Sequence, residues 1–213
     1  MTPTERTVAA LARARVVATL RFADLATARH AARAALDGGI SALEVTLTTP
    51  GALDLIAELA ADPRALVGAG TVVDAAGLEA AARVGARYAL SPACTHALVA
   101  PARALGVLYV PGAATPTEVH AAVTAGAEVV KIFPAALVGG VAFLRALSGP
   151  FPGVRFLPTN GIAPAEVDLY LAAGAVCCGL GRELFDPARV AAGEWEAVTA
   201  RCREVAGAIA RGR

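Results

Sequence analysis

Lys131 is the only lysine in the chain, and the other 18 basic residues are all arginine. Arginine serves as well as lysine as a surface cation. It cannot serve as an amine nucleophile, because its guanidinium stays protonated and forms no Schiff base. Either one lysine survived by chance, or it is kept for covalent chemistry. Its surroundings favour chemistry. In Val129-Val130-Lys131-Ile132-Phe133, Val130 and Ile132 share one face of a strand and Lys131 takes the other. With the aliphatic pair packed outward, Lys131 points into the interior just before Pro134. Burial of an amine favours its neutral form, which is the form that attacks a carbonyl.

The segment Leu43-Glu44-Val45-Thr46-Leu47-Thr48 alternates aliphatic and polar residues in the same way, which turns Glu44, Thr46 and Thr48 inward. A carboxylate inside a core is costly unless it is paired or at work. A Lys131–Glu44 ion pair without chemistry is the structural alternative, and such pairs stabilise poorly beside packed apolar residues. Arg21 follows Thr19 by two residues and shares its parity. Turned inward, Arg21 can fork onto a carboxylate; turned outward, it is one more surface arginine. Gly68-Ala69-Gly70-Thr71 combines small residues, which let a ligand approach the backbone, with a hydroxyl donor. An amine, a carboxylate, a guanidinium and a hydroxyl together suit a 2-keto acid.

The elements that must position these groups are read from periodicity. Short β-branched runs alternate with alanine-rich helical stretches. Strands are expected over 16–20, 42–47, 66–70, 88–90, 108–110, 129–132, 155–157 and 176–179. Helices are expected between them over 25–37, 51–61, 75–84, 96–104, 116–125, 141–147 and 164–172. An N-terminal helix at about 4–14 and a C-terminal helix at about 194–210 complete the pattern. Gly38-Gly39, Gly85, Gly106, Gly126 and Gly174 stand where left-handed helix C-caps belong. Eight βα units of roughly 20–27 residues describe a single-domain α/β fold, a (β/α)8 TIM barrel, with the candidate residues at the C-terminal strand ends. An open doubly wound sheet would carry a glycine-rich turn after its first strand, and Leu20-Arg21-Phe22 has none.

Composition narrows the partners. A net charge of +1 leaves no electrostatic footprint for nucleic acid or an acidic membrane. No apolar run qualifies as a membrane span or a signal-peptide core. Cys94, Cys177, Cys178 and Cys202 have neither CxxC pairing nor histidines at ligand spacing, so they read as thiols of a cytoplasmic protein without a metal.

These segments together resemble the 2-keto-3-deoxy-6-phosphogluconate aldolase / 4-hydroxy-2-oxoglutarate aldolase family. The markers are Leu43-Glu44-Val45-Thr46, Val67-Gly68-Ala69-Gly70-Thr71-Val72, Ser91-Pro92, Val110-Pro111-Gly112, Thr115-Pro116-Thr117-Glu118 and Lys131-Ile132-Phe133-Pro134. The resemblance implies a cofactor-free class I aldolase, usually a homotrimer, acting on small molecules (a 2-keto acid, pyruvate and an aldehyde). It makes Lys131 the Schiff-base lysine and Glu44 the general acid/base. It also makes Thr71 and an arginine the carboxylate clamp, with Thr46, Ser91, Pro92 and Phe133 lining the pocket. In some members the arginine stands where this chain has Thr48, and in others it follows the first strand, as Arg21 does. The family's phosphate region commonly reads Thr-Gly-Gly and Gly-x-Gly-Ser. Here it reads Thr159-Asn160-Gly161 and Gly179-Leu180-Gly181-Arg182, so aldol chemistry is better supported than a phosphorylated substrate. A phosphate-binding barrel isomerase or synthase, or a non-catalytic binding module, is the alternative of another class.

Overall fold

A computed structural model describes residues 1–211. Among these residues nine parallel strands run β1 (Val16–Leu20), β2 (Ala42–Thr46), β3 (Leu66–Gly70), β4 (Tyr88–Leu90), β5 (Leu108–Val110), β6 (Gly112–Ala113), β7 (Val129–Ile132), β8 (Arg155–Pro158) and β9 (Cys178–Leu180). The helices are α1 (Pro3–Ala14), α2 (Leu25–Asp37), α3 (Ala52–Ala60), α4 (Ala75–Arg83), α5 (Val99–Ala104), α6 (Pro116–Thr124), α7 (Gly140–Ser148), α8 (Val167–Ala172), α9 (Pro187–Ala191) and α10 (Trp195–Arg211).

The strands form a curled six-stranded sheet, β5-β4-β3-β2-β1-β9, and a three-stranded sheet, β6-β7-β8. Pro111 separates β5 from β6, and its carbonyl accepts the Lys131 amide at 2.8 Å. At the other junction, isolated parallel bridges pair Phe156 with Ala175 and Thr159 with Gly179.

Strand parity sorts the core into two clusters. Val16, Ala18, Leu20, Leu43, Val45, Val67, Ala69, Val130 and Ile132 face outward and pack with helix residues such as Ala28, Ala32 and Leu55. Val17, Tyr88, Leu90, Leu108, Val110, Val129, Leu157 and Cys177 face inward, and Val8 and Leu11 of α1 join them. Helix α1 is held at its start by reciprocal bonds between Thr2 and Glu5. It thus brings apolar side chains to the inward-facing cluster.

Several boundaries differ from the sequence reading, most by a single residue. Strand β9 starts at Cys178 rather than 176, because the Val176 amide turns to Phe156 on β8 while the Cys178 amide turns to Arg15, next to β1. The stretch 96–104 begins as a 3-10 turn (His96–Leu98), as does 164–172 (Pro164–Glu166). Helix α9 was not anticipated, although Asp186-Pro187 is a start signal and the Asp186 carboxylate accepts the Ala188 and Arg189 amides.

Candidate active site

Lys131 and Glu44 meet inside the curl of the sheets, Nζ to Oε1 at 3.6 Å. They are 4% and 1% exposed. The other carboxylate oxygen, Oε2, accepts a hydrogen bond from the Thr19 hydroxyl at 2.8 Å. The Phe133 ring lies 5.3 Å from the Lys131 ammonium, within cation–π range. The lysine therefore sits against one carboxylate oxygen and one aromatic face.

Glycines of β3 make this arrangement possible. A Cβ on Gly70 would collide with the Glu44 carboxylate, and one on Gly68 with the ring of Tyr88. Tyr88 fills the interior and donates to the Leu43 carbonyl at 2.7 Å, which steadies the backbone next to Glu44. Burial, with the nearby Glu44 charge as a lesser cause, pushes the Tyr88 phenol well above its usual range. Burial does the same to the Cys177 thiol, aided by Cys178 and Glu44.

Arg21 lies at the exposed rim, where β1 ends. Its guanidinium donates to the Thr48 hydroxyl at 3.2 Å and to the Thr71 hydroxyl at 3.0 Å. The structure thus joins Arg21 to both expected clamp positions, with Thr48 as its support. Thr46 donates to the Leu20 carbonyl at 3.2 Å, and the Phe22 amide donates to Thr49 at 3.3 Å. The backbone on both sides of Arg21 is therefore tied to the end of β2. Thr71 has φ 59°, a left-handed conformation costly for a β-branched residue and typical of ligand sites.

The remaining pocket candidates divide. Pro92 and Phe133 are half-buried. Thr46 and Ser91 are fully buried, and their hydroxyls bond to neighbours, Ser91 to Thr95 at 2.9 Å, so they brace the site from behind.

At the far end, Thr159 is buried and its hydroxyl has no hydrogen-bond partner among the described residues. It faces Gly179, where a Cβ would crowd it at 2.5 Å. Asn160 and Gly161 have φ 82° and 73°. Asparagine is among the side chains that tolerate this conformation, so the turn survives the substitution. Gly161 has less freedom, since its Cβ would meet that of Ala136 at 2.7 Å. The Gly181 amide, a candidate anion donor, bonds instead to Oε2 of Glu183 at 2.8 Å. Arg182 is exposed.

Sequence reading missed Thr19, Tyr88 and Glu183. Thr19 had half a signal, since it shares the inward parity of Arg21, but its place beside Glu44 is set by strand register. Glu183 had none, because its bond depends on how the turn after β9 folds back. Among the described residues, no group of three or more His, Cys, Asp or Glu could hold a metal ion. No helix among them is long and apolar enough to cross a membrane.

The KDPG and KHG aldolase family pattern matches residues 8–201. A 2-dehydro-3-deoxy-phosphogluconate aldolase of Pseudoalteromonas atlantica is 38% identical over 195 residues, 91% of this chain and 91% of that protein. The KHG/KDPG aldolase of Escherichia coli K12 is 40% identical over 174 residues, 81% of this chain and 82% of that one. The structure is similar to that of KDPG aldolase from Legionella pneumophila, with pyruvate captured at low pH as a covalent carbinolamine intermediate. That match has a TM-score of 0.84 and 33% identity, covering 93% of this chain and 97% of that one.

Proposed function

We propose, because the chain belongs to the KDPG and KHG aldolase family, that it is a class I aldolase cleaving 2-keto-3-deoxy-6-phosphogluconate to pyruvate and glyceraldehyde 3-phosphate. The observation that carries this reading is the sole lysine of the chain, buried with its Nζ 3.6 Å from a buried carboxylate.

In this mechanism Lys131 passes a proton to Glu44, and the neutral amine attacks the C2 ketone and forms a carbinolamine. Glu44 supplies the proton with which water leaves, giving an iminium. The iminium draws in the electrons of the C3–C4 bond as Glu44 accepts the C4-hydroxyl proton. The aldehyde departs and an enamine remains. Glu44 returns a proton to C3, and hydrolysis frees pyruvate and Lys131. Arg21 and Thr71 hold the substrate carboxylate, with Arg21 held in place by Thr48. Thr159, Asn160, Gly161, Gly181 and Arg182 surround the distal end. No step calls for a metal or an organic cofactor.

The two sheets belong to one eight-stranded closed barrel in a single domain, with β5 and β6 as a single strand interrupted at Pro111. The Lys131–Pro111 bond at one junction and, at the other, the isolated bridges Phe156–Ala175 and Thr159–Gly179 along the line of β8 and β9 support that closure. A homotrimer is the assembly the family resemblance implies, and the free cysteines are those of a cytoplasmic protein. Leu137, 82% exposed, and Val73, 48% exposed, are apolar side chains available to an interface.

One observation favours a second substrate. With Glu183 on the Gly181 amide, the distal end offers a phosphate one donor fewer, and the same chemistry on 4-hydroxy-2-oxoglutarate would yield pyruvate and glyoxylate. The test is pyruvate release from both substrates side by side, coupled to NADH consumption by lactate dehydrogenase. Faster turnover of the phosphorylated sugar acid is expected. Preference for 4-hydroxy-2-oxoglutarate would replace the substrate, and release from neither would reject the aldolase reading.

A further inference from the structure

We infer that Thr19 is a positioning residue for proton transfer at Glu44, holding one carboxylate oxygen so that the other works beside Lys131. This rests on the aldolase reading above. Thr19 and Glu44 are register partners on β1 and β2, with both side chains turned inward. The threonine has one hydroxyl proton, and it goes to Glu44 Oε2 at 2.8 Å. A β-branched side chain is stiff about its first torsion, so this tether has little freedom. On the other side, Oε1 rests over Gly70, where a Cβ would collide with it, and faces Lys131 Nζ at 3.6 Å. A carboxylate restrained at both oxygens cannot turn about its terminal torsion. Oε2 is engaged, and Oε1 is the atom left to give and take protons next to the nitrogen.

Pyruvate alone isolates the step. Lys131 Nζ bonds to C2, water leaves, and the iminium forms. Oε1 then removes one C3 proton, the electron pair moves to C2=C3, and the iminium becomes a neutral enamine. In D2O the proton now on Oε1 exchanges with solvent, and reversal then delivers deuterium from Oε1 to C3, so the pyruvate methyl group exchanges without any aldehyde.

The experiment follows this exchange by proton NMR for the wild type, T19V, T19A and T19S, with each fold checked by thermal melting. T19V keeps the shape and the β-propensity while losing the hydroxyl. T19V and T19A are expected to exchange roughly 10- to 100-fold more slowly at saturating pyruvate, the usual weight of one charge-assisted hydrogen bond. The pyruvate KM should stay within about twofold, because the missing contact is not to bound substrate. T19S should recover most of the rate. Wild-type exchange in T19V, or a T19S as slow as T19V, would overturn the inference while leaving the aldolase reading intact. Absence of exchange in the wild type would overturn both.

Discussion

Around Lys131 the polar groups are already engaged with one another, whereas at the far end the Thr159 hydroxyl is left without a partner among the described residues. Glu44 is restrained by Thr19 and faces Lys131, and the Arg21 guanidinium is shared between Thr48 and Thr71. At the far end a buried threonine hydroxyl has no partner among the described residues, and the Gly181 amide is taken by a side chain of its own turn. A group fixed before substrate arrives spends no binding energy on being ordered, which suits bond-making steps. Groups that must exchange partners on binding suit the variable part of a substrate, where discrimination matters more than rate. The near end is thus preorganised, and the far end keeps a buried hydroxyl without a partner among the described residues.

The largest expected effect comes from breaking the near end. Lys131→Arg keeps the positive charge and removes the nucleophile, so turnover should fall to background in the coupled pyruvate assay. Appreciable turnover would make Lys131 merely electrostatic and dissolve the contrast. Arg21→Met should raise the KM for pyruvate in the exchange reaction by about 10- to 100-fold, with a smaller change in kcat, as expected for a lost charged contact to bound carboxylate. An unchanged KM would return Arg21 to the surface. The smallest effect sharpens the far end. Glu183→Gln removes a negative charge from the Gly181 amide and should lower the KM for the phosphorylated substrate by roughly two- to fivefold, a typical weight for a partly solvated charge interaction. The KM for pyruvate should not move. A matching change in the pyruvate KM would mean that the two ends are not independent.

Much of the near end could be read without coordinates, because it depends on parity. Alternation alone turned Lys131 and Glu44 inward, and the two core clusters follow the same alternation. The strands at 16–20, 66–70, 88–90, 108–110 and 129–132 fall where expected, since each is a short apolar run between glycine or polar breaks. The interruption at Pro111 depends on its lack of an amide proton, which periodicity does not register. The split allegiance of 175–180 between β8 and β1 is a matter of packing between distant segments. The Thr19 tether needed strand register as well as parity. At the far end the useful information lies in backbone angles. Asn160 looked disruptive as a residue type, yet it occupies a conformation that asparagine accepts. The Glu183 bond to Gly181 follows from the shape of a turn, and no spacing rule anticipates it.

The most direct test of the account is reduction with borohydride in the presence of pyruvate, followed by digestion and mass spectrometry. A stable pyruvate-derived adduct on Lys131 is expected, formed in the wild type and absent from Lys131→Arg. An enzyme that cleaves its substrate while leaving Lys131 unmodified would contradict it.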